Sequence, residues 1–286
     1  MPAPPLPVMT INDAIQQACA QLADDPSARL EAELLLSLAL ACPRSTLRAW
    51  PERQLTAQQD SDFQQFLARR RSGEPMAYIL GQREFWNLTL KVTPATLIPR
   101  PETERLVELA LQHIPKEANW QVADLGTGSG AIALALASER GQCRITASDA
   151  SAEALALAQE NARALAINNV SFQHGDWFSP LAQQRFQVIV SNPPYVAEHD
   201  EHLQQGDLRF EPQQALSAGP EGLDALRHII ESSPAHLMPG GWLLLEHGFE
   251  QGTAVMQLLR QQGFRAVQCY ADYAERERVS CGRWPD

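Results

Sequence analysis

"QVADLGTGSGAIALALA", residues 121–137, decides the fold. Val122 to Leu125 read as a buried strand. Gly126, Gly128 and Gly130 follow at alternate positions, and Ala131 onward is an unbroken run of good helix formers. A strand that passes through glycines straight into a helix is the opening of a βαβ unit, whose return strand lies parallel to the first. The rest of the C-terminal half repeats the texture. "CRITASD" (143–149), "NVSFQHGD" (169–176), "FQVIV" (186–190) and "GGWLLLEHG" (240–248) read as strands. "SAEALALAQENARAL" (151–165), "EGLDALRHIIESSPAHL" (221–237) and "EQGTAVMQLLRQQG" (250–263) read as helices. Alternation of this kind predicts a parallel sheet with helices on both faces. The closing "FRAVQCYADYAERERVSCGRW" (264–284) carries two strands with no helix between them, so one strand must run antiparallel.

Upstream the texture is different. "TINDAIQQACAQLA" (10–23) starts with a Thr-x-x-Asp capping pattern and sets Ile11, Ile15, Ala18 and Leu22 on one stripe. "SARLEAELLLSLALAC" (27–42) offers Leu30, Leu34, Leu38 and their neighbours as a broad apolar face, and ends before Pro43. "TAQQDSDFQQFLARRR" (56–71) has Thr56 as its N-cap and Phe63, Phe66 and Leu67 facing inward. These are the marks of a small helical bundle. Alternation through Leu88, Leu90 and Val92 then suggests a hairpin. A helix is expected from near Glu102 to His113.

Bulk properties exclude several classes. The 286 residues are 44% hydrophobic and 20% charged, ordinary for a globular chain. No apolar run approaches the roughly 18 residues of a membrane span. "MPAPPLPVMT" lacks the basic and apolar regions of a secretory signal and is expected to be a Pro-rich tail. Five cysteines without CxxC spacing argue against a disulfide framework or zinc site, and for a reducing cytoplasm. The net charge of −11 is wrong for a protein that grips a nucleic-acid backbone unaided. The dense basic run Arg69–Arg71 closes a helix, where cations are expected on dipole grounds alone.

Two loops carry the chemistry. Gly126, Thr127, Gly128, Ser129 and Gly130 let the backbone approach a ligand, in a Gly-x-Gly-x-Gly spacing that is not that of a dinucleotide site. Asp149, at the end of the next strand, can accept from both hydroxyls of a ribose or cap the following helix. In "HGDWFS" (174–179), Asp176 can accept from an exocyclic amine and Trp177 can lie against a purine or pack in the core. The second loop is "VIVSNPPYV" (188–196), where an apolar run stops at an amide, two prolines and an aromatic ring. If its strand pairs beside the first, Asn192 to Tyr195 lie against the glycine loop at the carboxyl edge of the sheet.

"DLGTGSG", "SDAS" and "NPPY" at these spacings resemble class I methyltransferases that use S-adenosylmethionine. With "GQREFW", "LIPRPETE" (97–104) and "HGDWFS" behind a helical N-terminal segment, the chain from about Asn12 onward resembles the release factor glutamine methyltransferase family. The resemblance implies a seven-stranded sheet ordered 3-2-1-4-5-7-6 with the last strand antiparallel. It implies a helical substrate-docking domain over 1–85, a linking hairpin over 86–98 and a methyltransferase domain over 99–286. It implies S-adenosyl-L-methionine held by residues 126–130, Asp149, Trp177 and Asn192, leaving S-adenosyl-L-homocysteine, with no metal. Asn192, Pro193, Pro194 and Tyr195 would hold the side-chain amide of the glutamine in the Gly-Gly-Gln motif of class-1 peptide chain release factors. Such an enzyme is expected to be a cytoplasmic monomer that touches neither membrane nor nucleic acid directly. "NPPY" is shared with enzymes that methylate exocyclic base amines, so a nucleic-acid amino-methyltransferase is the alternative. "AGPEGLDAL" (218–226) departs from the family's glycine-rich pattern, and no role is assigned to Glu221 or Asp224. Nor does the pattern say which of Arg100, Glu102, Thr103 and Glu104 reaches the cofactor, or what Glu246 and His247 do.

Overall fold

The structure, a computed structural model, describes residues 9–22, 26–201 and 206–286, so the expected Pro-rich tail lies outside the described residues. The chain divides into two compact units, 1–81 and 82–286.

The first unit is helical: α1 (Ile11–Gln21), α2 (Ala28–Leu40), α3 (Arg44–Ala49), α4 (Ala57–Arg71) and α5 (Met76–Leu80). Thr10 with Asp13, and Thr56 with Gln59, form reciprocal capping boxes that fix where α1 and α4 begin. The buried row of α2 is Ala32, Leu35, Leu36 and Leu40, while Leu30 is exposed. The expected stripe through Leu30 is therefore off by part of a turn. With leucine on nearly every side, spacing alone does not choose a face. Carboxylates inside this unit are paired: Glu33 accepts from Arg29, Arg44 and Arg48, and Glu31 from Arg70. The basic run is spent internally in the same way, with Arg69 on Glu74 and Arg71 donating to Gln21.

The second unit opens with a hairpin, β1 (Gln82–Phe85) and β2 (Leu88–Lys91), four residues earlier than expected. A 3-10 turn (Pro101–Thr103) leads into α6 (Glu104–His113). Then come β3 (Gln121–Leu125), α7 (Ala131–Glu139), β4 (Arg144–Asp149), α8 (Ala152–Ala164), β5 (Val170–His174) and β6 (Phe186–Ser191). The remainder is α9 (Asp224–Ser232), β7 (Leu237–Glu246), α10 (Gly252–Gln262), β8 (Arg265–Ala271) and β9 (Glu277–Arg283). The sheet order is β5-β4-β3-β6-β7-β9-β8, with β9 antiparallel to both of its neighbours. Counted along the seven strands of this sheet, that is 3-2-1-4-5-7-6.

Both faces of the sheet are covered. Val122, Val188, Val190 and Leu244 join a cluster with Leu106, Leu109, Leu134 and Leu136 from α6 and α7. Their alternates Ala123, Leu125, Ile189, Leu243 and Leu245 join Leu226, Ile229, Val255 and Leu259 from α9 and α10. The period of two along each strand thus feeds two separate cores. The helix α9 is shorter than expected because Pro234 cannot continue it, and a 3-10 turn (Ser233–Ala235) takes over. Among the described residues no helix is long and apolar enough to cross a membrane.

Candidate active site

β3 and β6 are adjacent and parallel, with Leu125 opposite Ser191. The glycine loop leaves one strand where the Asn-Pro loop leaves the other. Ser191 Oγ donates to the Leu125 carbonyl at 2.7 Å and ties the two ends together. A cleft of about 330 Å³ opens there, within the range of small-molecule sites. Gly126, Thr127, Gly128, Ser129, Asp149, Trp177, Asn192 and Pro194 line it, with Asp176, Thr103 and Arg100.

The glycine loop is held by its neighbours on β4. Gly126 and Thr127 both donate their N–H to the Ser148 carbonyl, and Gly128 donates to Asp149 Oδ2 at 2.8 Å. The other carboxylate oxygen of Asp149 accepts from Ser151 N–H at 2.8 Å, so Asp149 serves as a local turn anchor and lines the cleft as well. The cap of α8 is Ser151, which accepts from Ala154. Gly126 has φ +70, and a Cβ there would sit 3.4 Å from the Trp177 ring, in the gap between loop and indole. Trp177 itself has φ 44, uncommon for a bulky residue, and its carbonyl accepts from Ser148 Oγ. Its ring therefore belongs to the cleft wall.

Gly130, expected among the cofactor contacts, does not line the cleft. It is buried at φ +87, and a Cβ would meet Leu134 at 3.1 Å and Ala158 at 3.2 Å. The third glycine serves helix packing. Below the loop lies a carboxyl that spacing did not single out. Asp124 is fully buried and accepts from Thr127 Oγ1 and Ala133 N–H, while its Oδ1 has no partner. Burial pushes its pKa up to about 7.

The Asn-Pro loop is clamped from both sides. Tyr195 and Val196 N–H donate to the Leu216 carbonyl, and Gln251 donates to the Tyr195 carbonyl. Gly222 packs against that same carbonyl, where a Cβ would come within 2.2 Å. Of the two glycines of the 218–226 stretch, Gly222 thus serves close packing beside Tyr195, while Gly219 makes room for the Asp224 carboxylate. Asn192 Nδ2 donates to Thr103 Oγ1 at 3.1 Å. Thr103 is therefore the member of "LIPRPETE" that meets the loop. Arg100 instead pairs with the buried Glu211, joining that stretch to the segment that contributes Pro212 and Gln214 to the cleft. Pro193 and Tyr195 are not among the residues that line this cleft: Pro193 is buried, and the Tyr195 hydroxyl reaches Glu246 Oε1 at 3.4 Å. His247 is buried between the Gly248 carbonyl and Ser280 Oγ.

The donor set suits S-adenosylmethionine. An acceptor carboxylate, an indole wall, apolar Leu97 and Ile132, and glycines that admit close approach meet in one cleft. Fold and site together define a methyltransferase of the S-adenosylmethionine-dependent class I. The sequence matches the methyltransferase small domain family over residues 104–211 and the PrmC N-terminal domain family over 13–81. It is 51% identical over 281 residues to the release factor glutamine methyltransferase of Vibrio cholerae, covering 96% of this chain and 97% of that one. It is 52% identical over 265 residues to that of Pseudomonas aeruginosa, covering 93% and 96%. The chain belongs to the release factor glutamine methyltransferase family. A methyltransferase structure from Pyrococcus furiosus shares the fold at 18% identity, with a TM-score of 0.54 over 77% of this chain and 98% of that one.

Proposed function

We propose that this protein transfers a methyl group to the side-chain amide nitrogen of the glutamine in the Gly-Gly-Gln motif of class-1 peptide chain release factors. The observation that carries the reading is the meeting of Asn192 and Asp149 in one cleft, within a chain of this family. Bound S-adenosylmethionine supplies a methyl group on a positively charged sulfur, an electrophile that needs no further activation. Asp149 would hold the ribose, the loop from Gly126 to Ser129 would pack along the ligand, and Trp177 would cover the base.

The chain's remaining task is to present the nucleophile. An amide nitrogen is a poor one, because its lone pair is delocalised into the carbonyl. With Nδ2 engaged by Thr103, Asn192 has Oδ1 left to accept one N–H of the substrate amide, and the Pro193 carbonyl can accept the other. Two fixed acceptors orient the NH₂ group and favour positive charge as it builds on nitrogen. Positioning of this kind can supply up to about 7–11 kcal/mol of the barrier. Pro193 and Pro194 stiffen the carbonyl because their φ is locked. Tyr195, backed by Glu246, would flank the amide plane.

The helical unit would dock the protein substrate, since no residue lining the cleft belongs to it. The acidic balance supports a protein rather than a nucleic-acid target, and we place the enzyme in the cytoplasm as a monomer. The test is to incubate the purified chain with methyl-labelled S-adenosylmethionine and a class-1 release factor, then map the label by mass spectrometry. One methyl on the glutamine side chain of the Gly-Gly-Gln peptide is expected. Label on DNA or RNA bases instead would move the enzyme to the base-amine class.

A further inference from the structure

The cleft holds a glutamine of its own. Gln214 lines it together with Asn192 and Pro194, and it is exposed. Within the described residues no hydrogen bond engages its side-chain amide.

The segment that carries Gln214 is pinned on both sides. Upstream, the buried Glu211 side chain accepts from Ile98 N–H and from Arg100, in the stretch that brings Leu97 and Pro99 to the cleft. Downstream, the Leu216 carbonyl accepts from Tyr195 N–H at 3.1 Å and from Val196 N–H at 2.9 Å. Pro212 and a 3-10 turn (Gln213–Ala215) span the interval. Gln214 therefore stands two residues from a direct bond to the Asn-Pro loop. Its neighbour Gln213 does not line the cleft, and the Gln213 carbonyl accepts from Leu216 and Ser217. A primary amide on three rotatable bonds is thus tethered beside acceptors that suit a primary amide. Asn192 Oδ1 and the Pro193 carbonyl take N–H groups, and a glutamine NH₂ offers the same two whichever chain it belongs to.

We infer that Gln214 is a self-methylation site: with S-adenosylmethionine bound and no release factor present, its side-chain nitrogen takes the methyl group in cis. This rests on the methyl-transfer reading above and uses the same acceptors. The nitrogen lone pair forms the new C–N bond. The sulfur–methyl bond breaks with its electron pair left on sulfur, and one amide proton passes to water. S-adenosylhomocysteine is released. The product keeps a single N–H, so it no longer satisfies both acceptors, and one methyl per chain is the limit. The tether raises local concentration, but the pinned backbone restricts the approach. Transfer to Gln214 should therefore run about 100-fold or more slower than transfer to the release factor.

The test incubates the purified full chain with methyl-labelled S-adenosylmethionine, with and without a class-1 release factor, and maps the label by mass spectrometry. The tryptic peptide 210–227 contains both Gln213 and Gln214, and fragment ions separate them. Without release factor, one methyl on the Gln214 side chain is expected, lost in Gln214→Ala and in Asn192→Ala. The labelled fraction at a fixed time should hold constant over a tenfold dilution of the chain, and excess release factor should lower it. A chain that labels the release factor but leaves Gln214 unmodified overturns the proposal. So does label on Gln213 instead, a labelled fraction that falls with dilution, or label that excess release factor does not slow. A chain that labels neither itself nor the release factor brings down the methyl-transfer reading instead.

Discussion

The two loops at the carboxyl edge of β3 and β6 are built on opposite plans. The glycine loop is held by backbone: its N–H groups go to a carbonyl and a carboxylate one strand away, at 148 and 149. The Asn-Pro loop, beside its backbone bonds to the Leu216 carbonyl, is held by side chains from remote parts of the chain, Thr103 and Gln251. A loop that receives a cofactor has to present a surface, and backbone geometry is enough. A loop that orients a nucleophile has to present one atom of one amide, and that takes a partner for the other atom.

The difference can be broken at either loop. Asn192→Ala should be the most damaging change, lowering kcat by about 10²–10³ while leaving thermal stability close to wild type. Single-turnover methyl transfer reads this, and a loss confined to KM would mean that Asn192 only binds. Asp149→Ala should act on the cofactor side, weakening S-adenosylmethionine by about 1.5–3 kcal/mol in calorimetric titration. It also frees the Gly128 and Ser151 amides, so part of that loss is loop order; an unchanged Kd would reduce Asp149 to a turn anchor. Gly130→Ala should cost about 1–3 kcal/mol of stability from crowding and its positive φ, with cofactor affinity in the surviving folded protein altered far less. Denaturant titration separates the two.

The smallest expected effect is on pH dependence, and there the loops are alike. Each has a buried carboxyl behind it, Asp124 or Glu246, pushed up to about 7 by burial. A carboxyl whose folded pKa lies above its unfolded value binds more protons in the native state. Its stabilising contribution is complete below the unfolded pKa and is lost as pH rises through about 7. Melting from pH 5.5 to 8 should therefore destabilise wild type more than Asp124→Asn, by on the order of 1 kcal/mol. A steeper loss in the variant would reverse the sign and refute the assignment.

What the sequence discloses follows the same division. The glycine spacing, Asp149 and "NPPY" are short-range patterns, and they lead directly to the sheet, the cleft and the side chains that line it. Thr103 stands in a stretch that attracts notice, yet its bond to Asn192 spans 89 residues, and no local pattern points along it. Glu246 is hidden for another reason: a carboxylate at the end of an apolar strand has the same letters whether it caps, pairs or orients. Spacing groups Gly130 with the glycines that line the cleft, whereas it packs against Leu134 and Ala158, because a glycine that admits a ligand and one that admits a neighbouring helix look identical in sequence. In the helical unit, the capping boxes fix the starts of α1 and α4, whereas α3 and α5 are too short, at 6 and 5 residues, to carry a period.

The bonds from Gly126, Thr127 and Gly128 to β4 have a consequence in time as well as space. These amides are bonded within the protein itself and need nothing from a ligand, so binding has little conformational freedom to remove from the loop. Amide hydrogen exchange at the three positions should be slow in the free protein and change little when the cofactor is added. The cofactor would meet a seat that does not have to form around it, and its arrival would be limited by encounter rather than by loop closure.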